Sequence, residues 1–155
     1  MASVLALLEQ SGLAIWIRES GVLYGYPLIL FLHTLGLSTI VGLSAAVDLR
    51  LLGFASTIPL ASLEKVFGLL WAGFALTTAT GALLFVADAT RHASNPAFFV
   101  KLAFVGGGVA TVALVRRRVF RGRQRGPFLA AASLGCWVVA LTAGRLMAYV
   151  SEFLS

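Results

Sequence analysis

Four apolar runs, 22–47, 66–87, 97–115 and 127–150, limit what this chain can become. Each is close to the ~20 residues that an α-helix needs to cross a hydrocarbon core of ~30 Å. Lipid offers the backbone no hydrogen bonds, so a spanning segment must satisfy its own N–H and C=O groups. Four runs are too few to close a β-barrel, which leaves helices. The sequence therefore predicts an all-α integral membrane four-helix bundle of up-down topology, forming a single domain over residues 1–155. Composition agrees. Of the 155 residues, 59% are apolar and 12% charged, about half the roughly 25% charge of a water-facing domain. The lipid bilayer must cover much of the surface.

The four prolines mark boundaries. Pro27, Pro59, Pro96 and Pro127 each stand at or near the start of a run, where a missing N–H costs nothing. Asn95 is suited to cap the third helix. Ahead of the first run, residues 2–19 read as an amphipathic helix lying in the interface, with Val4, Leu5, Leu8 and Ile15 on its apolar side and Trp16 at headgroup level. Glu9, Gln10 and the lack of a basic start argue against a cleaved signal. The lone Cys136 excludes an intrachain disulfide.

Charge placement predicts orientation. Arg116, Arg117, Arg118, Arg121, Arg123 and Arg125 crowd the loop 116–126, and Arg50 and Lys65 fall on the same side. Eight of the twelve basic residues thus gather at one face, which the positive-inside rule makes cytoplasmic. Both termini are then expected in the periplasm of a bacterial inner membrane. Topology accounts for the arginine loop, so no nucleic-acid partner is expected. Gly73, Thr77 and Gly81 recur at helical spacing, and Gly106, Gly107 and Gly108 interrupt the third run. Small residues of this kind let backbones approach closely, and a homo-oligomer or a membrane partner is among the uses of such a surface.

No Ser/His/Asp set, nucleotide loop or CxxC pair is present. What stands out is a short list of polar residues in costly places, which in membranes are functional candidates. His33 lies eleven residues into the first run, about 16 Å along its axis, beside the small residues Gly36 and Ser44. Neutral imidazole is a common metal ligand and holds haem iron. Lys101 and Arg145 fall at a comparable depth on the third and fourth helices, and Asp88 and His92 close the second. This surplus of cations suits an anion such as a propionate, a quinone oxygen or a phosphate. Met147 is at a fitting depth for a second axial ligand. At the cytoplasmic end, Asp48 and Arg50 are expected to pair with Glu64 and Lys65.

The segment Tyr26-Pro27-Leu28-Ile29-Leu30-Phe31-Leu32-His33-Thr34-Leu35-Gly36, followed by Asp48-Leu49-Arg50-Leu51-Leu52-Gly53, resembles an uncharacterised bacterial family of small four-helix membrane proteins. Trp71-Ala72-Gly73-Phe74 and Phe98-Phe99-Val100-Lys101 fit it too. More distantly, the first helix is similar to the copper-resistance membrane family and to the haem-containing membrane protoporphyrinogen oxidase. His33, Gly42-Leu43, Arg50 and Lys101 take the places of those families' polar and small residues. Where those families carry tryptophan ahead of the glycine, this chain has Ile40-Val41.

These readings lead to three expectations. The first is a membrane redox or cofactor-binding protein holding b-type haem in the periplasmic half, with His33 as axial ligand, Lys101 and Arg145 neutralising propionates, and Met147 near the second axial position. The second is copper uptake or transfer with a periplasmic partner, through His33, His92 and Met147. Its weakness is ligand poverty, since the chain has two Met and one Cys and soft sulfur ligands select Cu(I). The third is a structural or assembly subunit without cofactor.

Overall fold

A computed structural model of the chain describes residues 2–54, 56–121 and 126–153, with backbone alone at 2, 3, 22, 23 and 148–153. It is helical, with no strand among the described residues. In chain order the helices are α1 (Ala2–Glu9), α2 (Gly12–Glu19), α3 (Gly21–Tyr24), α4 (Tyr26–Leu51), α5 (Leu60–Glu64), α6 (Val66–Ala87), α7 (Ala89–Ser94), α8 (Pro96–Val115) and α9 (Pro127–Phe153). Four spans, Tyr26–Leu51, Leu60–Ala87, Pro96–Arg121 and Pro127–Met147, are long and apolar enough to cross a membrane. The chain is a multi-pass membrane protein built as an all-α four-helix bundle.

The segment expected as one helix over 2–19 is two. Ser11 breaks it: its hydroxyl accepts from the Ala14 N–H at 3.3 Å and so caps α2. A second corner follows at Gly25, which sits against the Ile17 carbonyl and the Ser20 hydroxyl. A side chain there would collide with both. The corner delays the first long helix to Tyr26, with Pro27 in its first turn. His33 is therefore seven residues inside its helix, about 10 Å rather than 16 Å. At the other end, α8 does not stop at Val115 but widens into a π-helical stretch, Arg116–Arg121. Of the expected basic loop, residues 122–125, with Arg123 and Arg125, lie outside the described residues.

The close helix pairs are α4 with α6, α8 with α9, and α4 with α9. The fold is thus two helical hairpins joined along the α4–α9 seam. Gly36 and Gly73 explain the tight approach of α4 and α6. A Cβ on Gly36 would stand 2.9 Å from the Gly73 carbonyl oxygen, and one on Gly73 would stand 3.1 Å from that of Gly36. The triple glycine serves the second hairpin. Gly108 leaves room for the Trp137 ring and Gly107 for the Cys136 sulfur, while Gly106 faces open space. Between α6 and α8, aromatic pairs span the wider gap. Phe67 meets Phe120 edge-on at 5.1 Å, and Phe85 stacks on Phe98 at 5.5 Å.

Two apolar clusters result. The larger, near the arginine end, contains Ile40, Val47, Phe67, Leu70, Val112, Val115, Val119 and Trp137. The smaller, at the far end, holds Ile17, Ile29, Leu84 and Ala87. The α1–α2 arm is tied over that far end. Arg18 donates to the Ala87 carbonyl at 2.9 Å and to the Glu9 carbonyl at 2.7 Å. The Glu9 carboxylate accepts from the Thr90 N–H at 2.6 Å. That backbone N–H, helped by the Arg18 charge, holds the Glu9 carboxyl below the usual carboxylate range.

Candidate functional site

His33 falls between the two apolar clusters, with Ile29 on one side of it along α4 and Ile40 on the other. Its ring turns to α6, where Thr77, Thr80 and Gly81 form the matching polar level. Nδ1 lies 3.0 Å from the Thr77 carbonyl oxygen and 3.1 Å from Thr80 Oγ1. The Thr80 hydroxyl spends its proton on the Leu76 carbonyl at 2.6 Å. Both neighbours of Nδ1 are then acceptors, so Nδ1 carries the ring proton and Nε2 keeps a lone pair. No hydrogen bond to Nε2 is made among the described residues. Gly81 is small for a reason: a Cβ there would stand 3.1 Å from His33 Cε1. One level deeper, Thr77 Oγ1 is buried without a hydrogen-bond partner, in the place where a Gly36 side chain would go.

Lys101 reaches the same level from the other hairpin. Its stem lies along Gly144 of α9, with Cδ, Cε and Nζ at 3.5, 3.6 and 3.8 Å from the position of a Cβ there. It is half-buried, and its charge acts on His33. Of the residues expected to converge, His33 and Lys101 do so. Arg145 does not join them. Its neighbour Gly144 faces Lys101, and one residue further is a turn of ~100° about the helix axis, which leaves Arg145 exposed. Met147 is half-buried, and its carbonyl accepts from Asn95 Nδ2 at 3.4 Å, nearer the far end. His92 also belongs to that end. Its Nδ1 donates to the Asp88 carbonyl at 2.6 Å, and its ring packs against Phe85 and Phe98. No group of three or more His, Cys, Asp or Glu side chains suited to a metal occurs among the described residues.

The expected pairing of Asp48 and Arg50 with Glu64 and Lys65 is not made. Arg50 donates instead to the carbonyls of Ile58 at 2.7 Å and Ser56 at 3.0 Å, bracing the loop after α4. Asp48 turns inward and is 2% exposed. The Ser44 hydroxyl donates to it at 3.3 Å, and Ser133 Oγ of α9 lies 3.3 Å from Ser44 Oγ. Trp137 Nε1 donates to Ser44 Oγ at 3.0 Å. This second polar cluster was missed because an aspartate beside an arginine at a helix end resembles a solvated cap. The available signal was Ser44, one helical turn before Asp48, matched by Ser133 and Trp137 one turn apart on α9.

Fold and composition define a multi-pass α-helical membrane protein with a histidine-centred polar level inside the bundle. No protein family, no curated protein and no solved structure matches the chain. The family resemblances drawn above rest on their motifs alone.

Proposed function

We propose that this chain is a membrane-embedded cofactor-binding protein of redox type, in which His33 Nε2 is the ligand to the iron of a b-type haem. The observation that carries this reading is the Nδ1–Thr77 carbonyl hydrogen bond. Ligating histidines are commonly oriented by donating their other N–H to a carbonyl, which fixes the tautomer and raises ligand basicity. His33 has that arrangement. Lys101 would supply a half-buried cation at the same level to neutralise a propionate, and Met147, half-buried on α9, is the expected second donor. Bound haem supplies one-electron chemistry. The protein's own part is to hold the imidazole in one tautomer, exclude water with the flanking apolar clusters, and offset the carboxylate charge. In this reading the arginine end is cytoplasmic and the His33 half periplasmic.

The test is the absorption spectrum of detergent-purified protein, before and after haem addition. A Soret band that His33→Ala abolishes supports the proposal. No Soret band in wild type after haem addition defeats it. Copper found by metal analysis, without haem, would move His33 to a copper-binding role.

One observation favours a second reading. The same ring bridges α4 to α6 through Thr77 and Thr80, so His33 also serves a structural or assembly subunit as an interhelical clasp. Loss of stability in His33→Ala with no spectral change in any condition would establish that role.

A further inference from the structure

The Asp48 cluster lies at the opposite end of α4 from His33, fifteen residues or about 22 Å away, and the proposed cofactor site makes no use of it. A carboxyl buried in a membrane-spanning helix is costly and calls for a functional account. Among the described residues, the charged groups at this end have other contacts or are exposed. Arg50 holds the Ile58 and Ser56 carbonyls. Glu64 and Lys65, from the α5–α6 corner, are exposed, as are Arg117, Arg118 and Arg121. The Arg116 guanidinium lies over the Phe67 ring, 5.7 Å from its centroid. On α9, the stretch from Pro127 to Trp137 carries no charged residue. Asp48 makes no ion pair among the described residues.

Its polar surroundings consist of groups that can rotate. With Asp48 ionised, Ser44 gives its one hydroxyl proton to the carboxylate. Ser133 is then the donor in the 3.3 Å hydrogen bond between the two hydroxyls. Ser44 Oγ is left to accept from Trp137. With Asp48 protonated, the carboxyl becomes a donor. Each serine can then turn back to the carbonyl one helical turn earlier on its own helix, a common alternative for serine in membrane helices. The network therefore satisfies both states by rotating two hydroxyls. It spans α4 and α9, the seam that joins the two hairpins. The arginine end is the nearer one. Asp48 is three residues from the end of α4 at Leu51, whereas buried Ile40, Leu70 and Trp137 stand between it and His33.

We infer that Asp48 is a proton-binding site, loaded from the arginine end of the bundle, and that its proton resets the hydrogen bonds between α4 and α9. The step adds one proton from water to the carboxylate and removes one negative charge from the interior. No other reactant takes part.

The chain has two aspartates, Asp48 and Asp88, so labelling isolates the group. Asp88→Asn protein, with ¹³C-carboxyl aspartate and ¹⁵N-tryptophan, would be followed by NMR in micelles as pH is varied. The expected result is a titrating carboxyl carbon, with the Trp137 indole N–H resonance shifting at the same midpoint. In Ser44→Ala the carbon should still titrate while the indole shift is lost. A carboxyl locked in one form throughout the pH range of the folded protein overturns the inference, as does a Trp137 resonance that ignores the carboxyl's titration in Asp88→Asn protein.

Discussion

Gly36 and Gly73 place the backbones of α4 and α6 in contact, each occupying the space a side chain on the other would need. Contacts this close permit Cα–H···O interactions and dense packing, the forces that hold helices together in lipid. The same crossing sets the level at which His33 meets Thr77 and Thr80.

Replacing Gly73 with Leu, or Gly36 with Ala, should therefore destabilise the bundle. Overpacking of a tight interior costs about 1–3 kcal/mol, and here the obstructing atoms include a carbonyl oxygen. Gly108→Ala should behave similarly, because its Cβ would stand 2.9 Å from the Trp137 ring. Gly106→Ala, which meets nothing within 4 Å, should stay within about 0.5 kcal/mol of wild type. Thermal melts in one detergent would compare all four. Equal melting of Gly106→Ala and Gly108→Ala would contradict the packing described.

Loss of the imidazole should cost little in stability. Interhelical hydrogen bonds in membranes contribute on average about 0.6 kcal/mol and at most about 1.7, so His33→Ala without cofactor should fall by that amount. Thr80→Val should lose less, since the Thr77 carbonyl remains as acceptor for Nδ1. Unfolding in graded denaturant measures both. A loss of several kcal/mol in His33→Ala would mean that the ring supports far more than one clasp.

The Glu9 carboxylate gives the far end a pH dependence of known sign. Its carboxyl titrates below the ordinary range because the Thr90 N–H bonds to the charged form. The stabilisation is therefore complete above the ordinary carboxylate value and is lost as pH falls through the lowered one. Hydrogen exchange at the Thr90 amide should accelerate, relative to its neighbours, on acidification. Glu9→Gln should remove this dependence. Exchange at Thr90 that acidification leaves unchanged relative to its neighbours would count against the contact.

Much of this architecture was legible because lipid leaves few options. Val66–Ala87 emerges as a helix from an apolar run closed by Lys65 and Asp88, and Pro96 behind Asn95 announces the next. The convergence of His33 and Lys101 followed from helix direction and rise alone. The rest depended on contacts between distant residues. Asp48 resembled a surface cap because the partners that complete its network through Ser44 are Ser133 and Trp137, far along the chain on α9. The break at Ser11 was hidden within an amphipathic pattern that continues across it, and Gly25 revealed its corner only through Ile17 and Ser20. Arg145 was misplaced by depth without azimuth: one residue from Gly144 keeps the level but changes the face.

The tether at the far end also bears on the order of assembly. Arg18 finds its carbonyl partner 69 residues downstream at Ala87, and Glu9 finds its amide 81 residues downstream at Thr90. A ribosome delivers those partners only after the second long helix has been made. Until then α1 and α2 have no place to dock, and the Gly25 corner leads into a helix that lacks its neighbour. Docking of α1 and α2 is thus a late event, and it closes over the end of a hairpin already paired in the membrane.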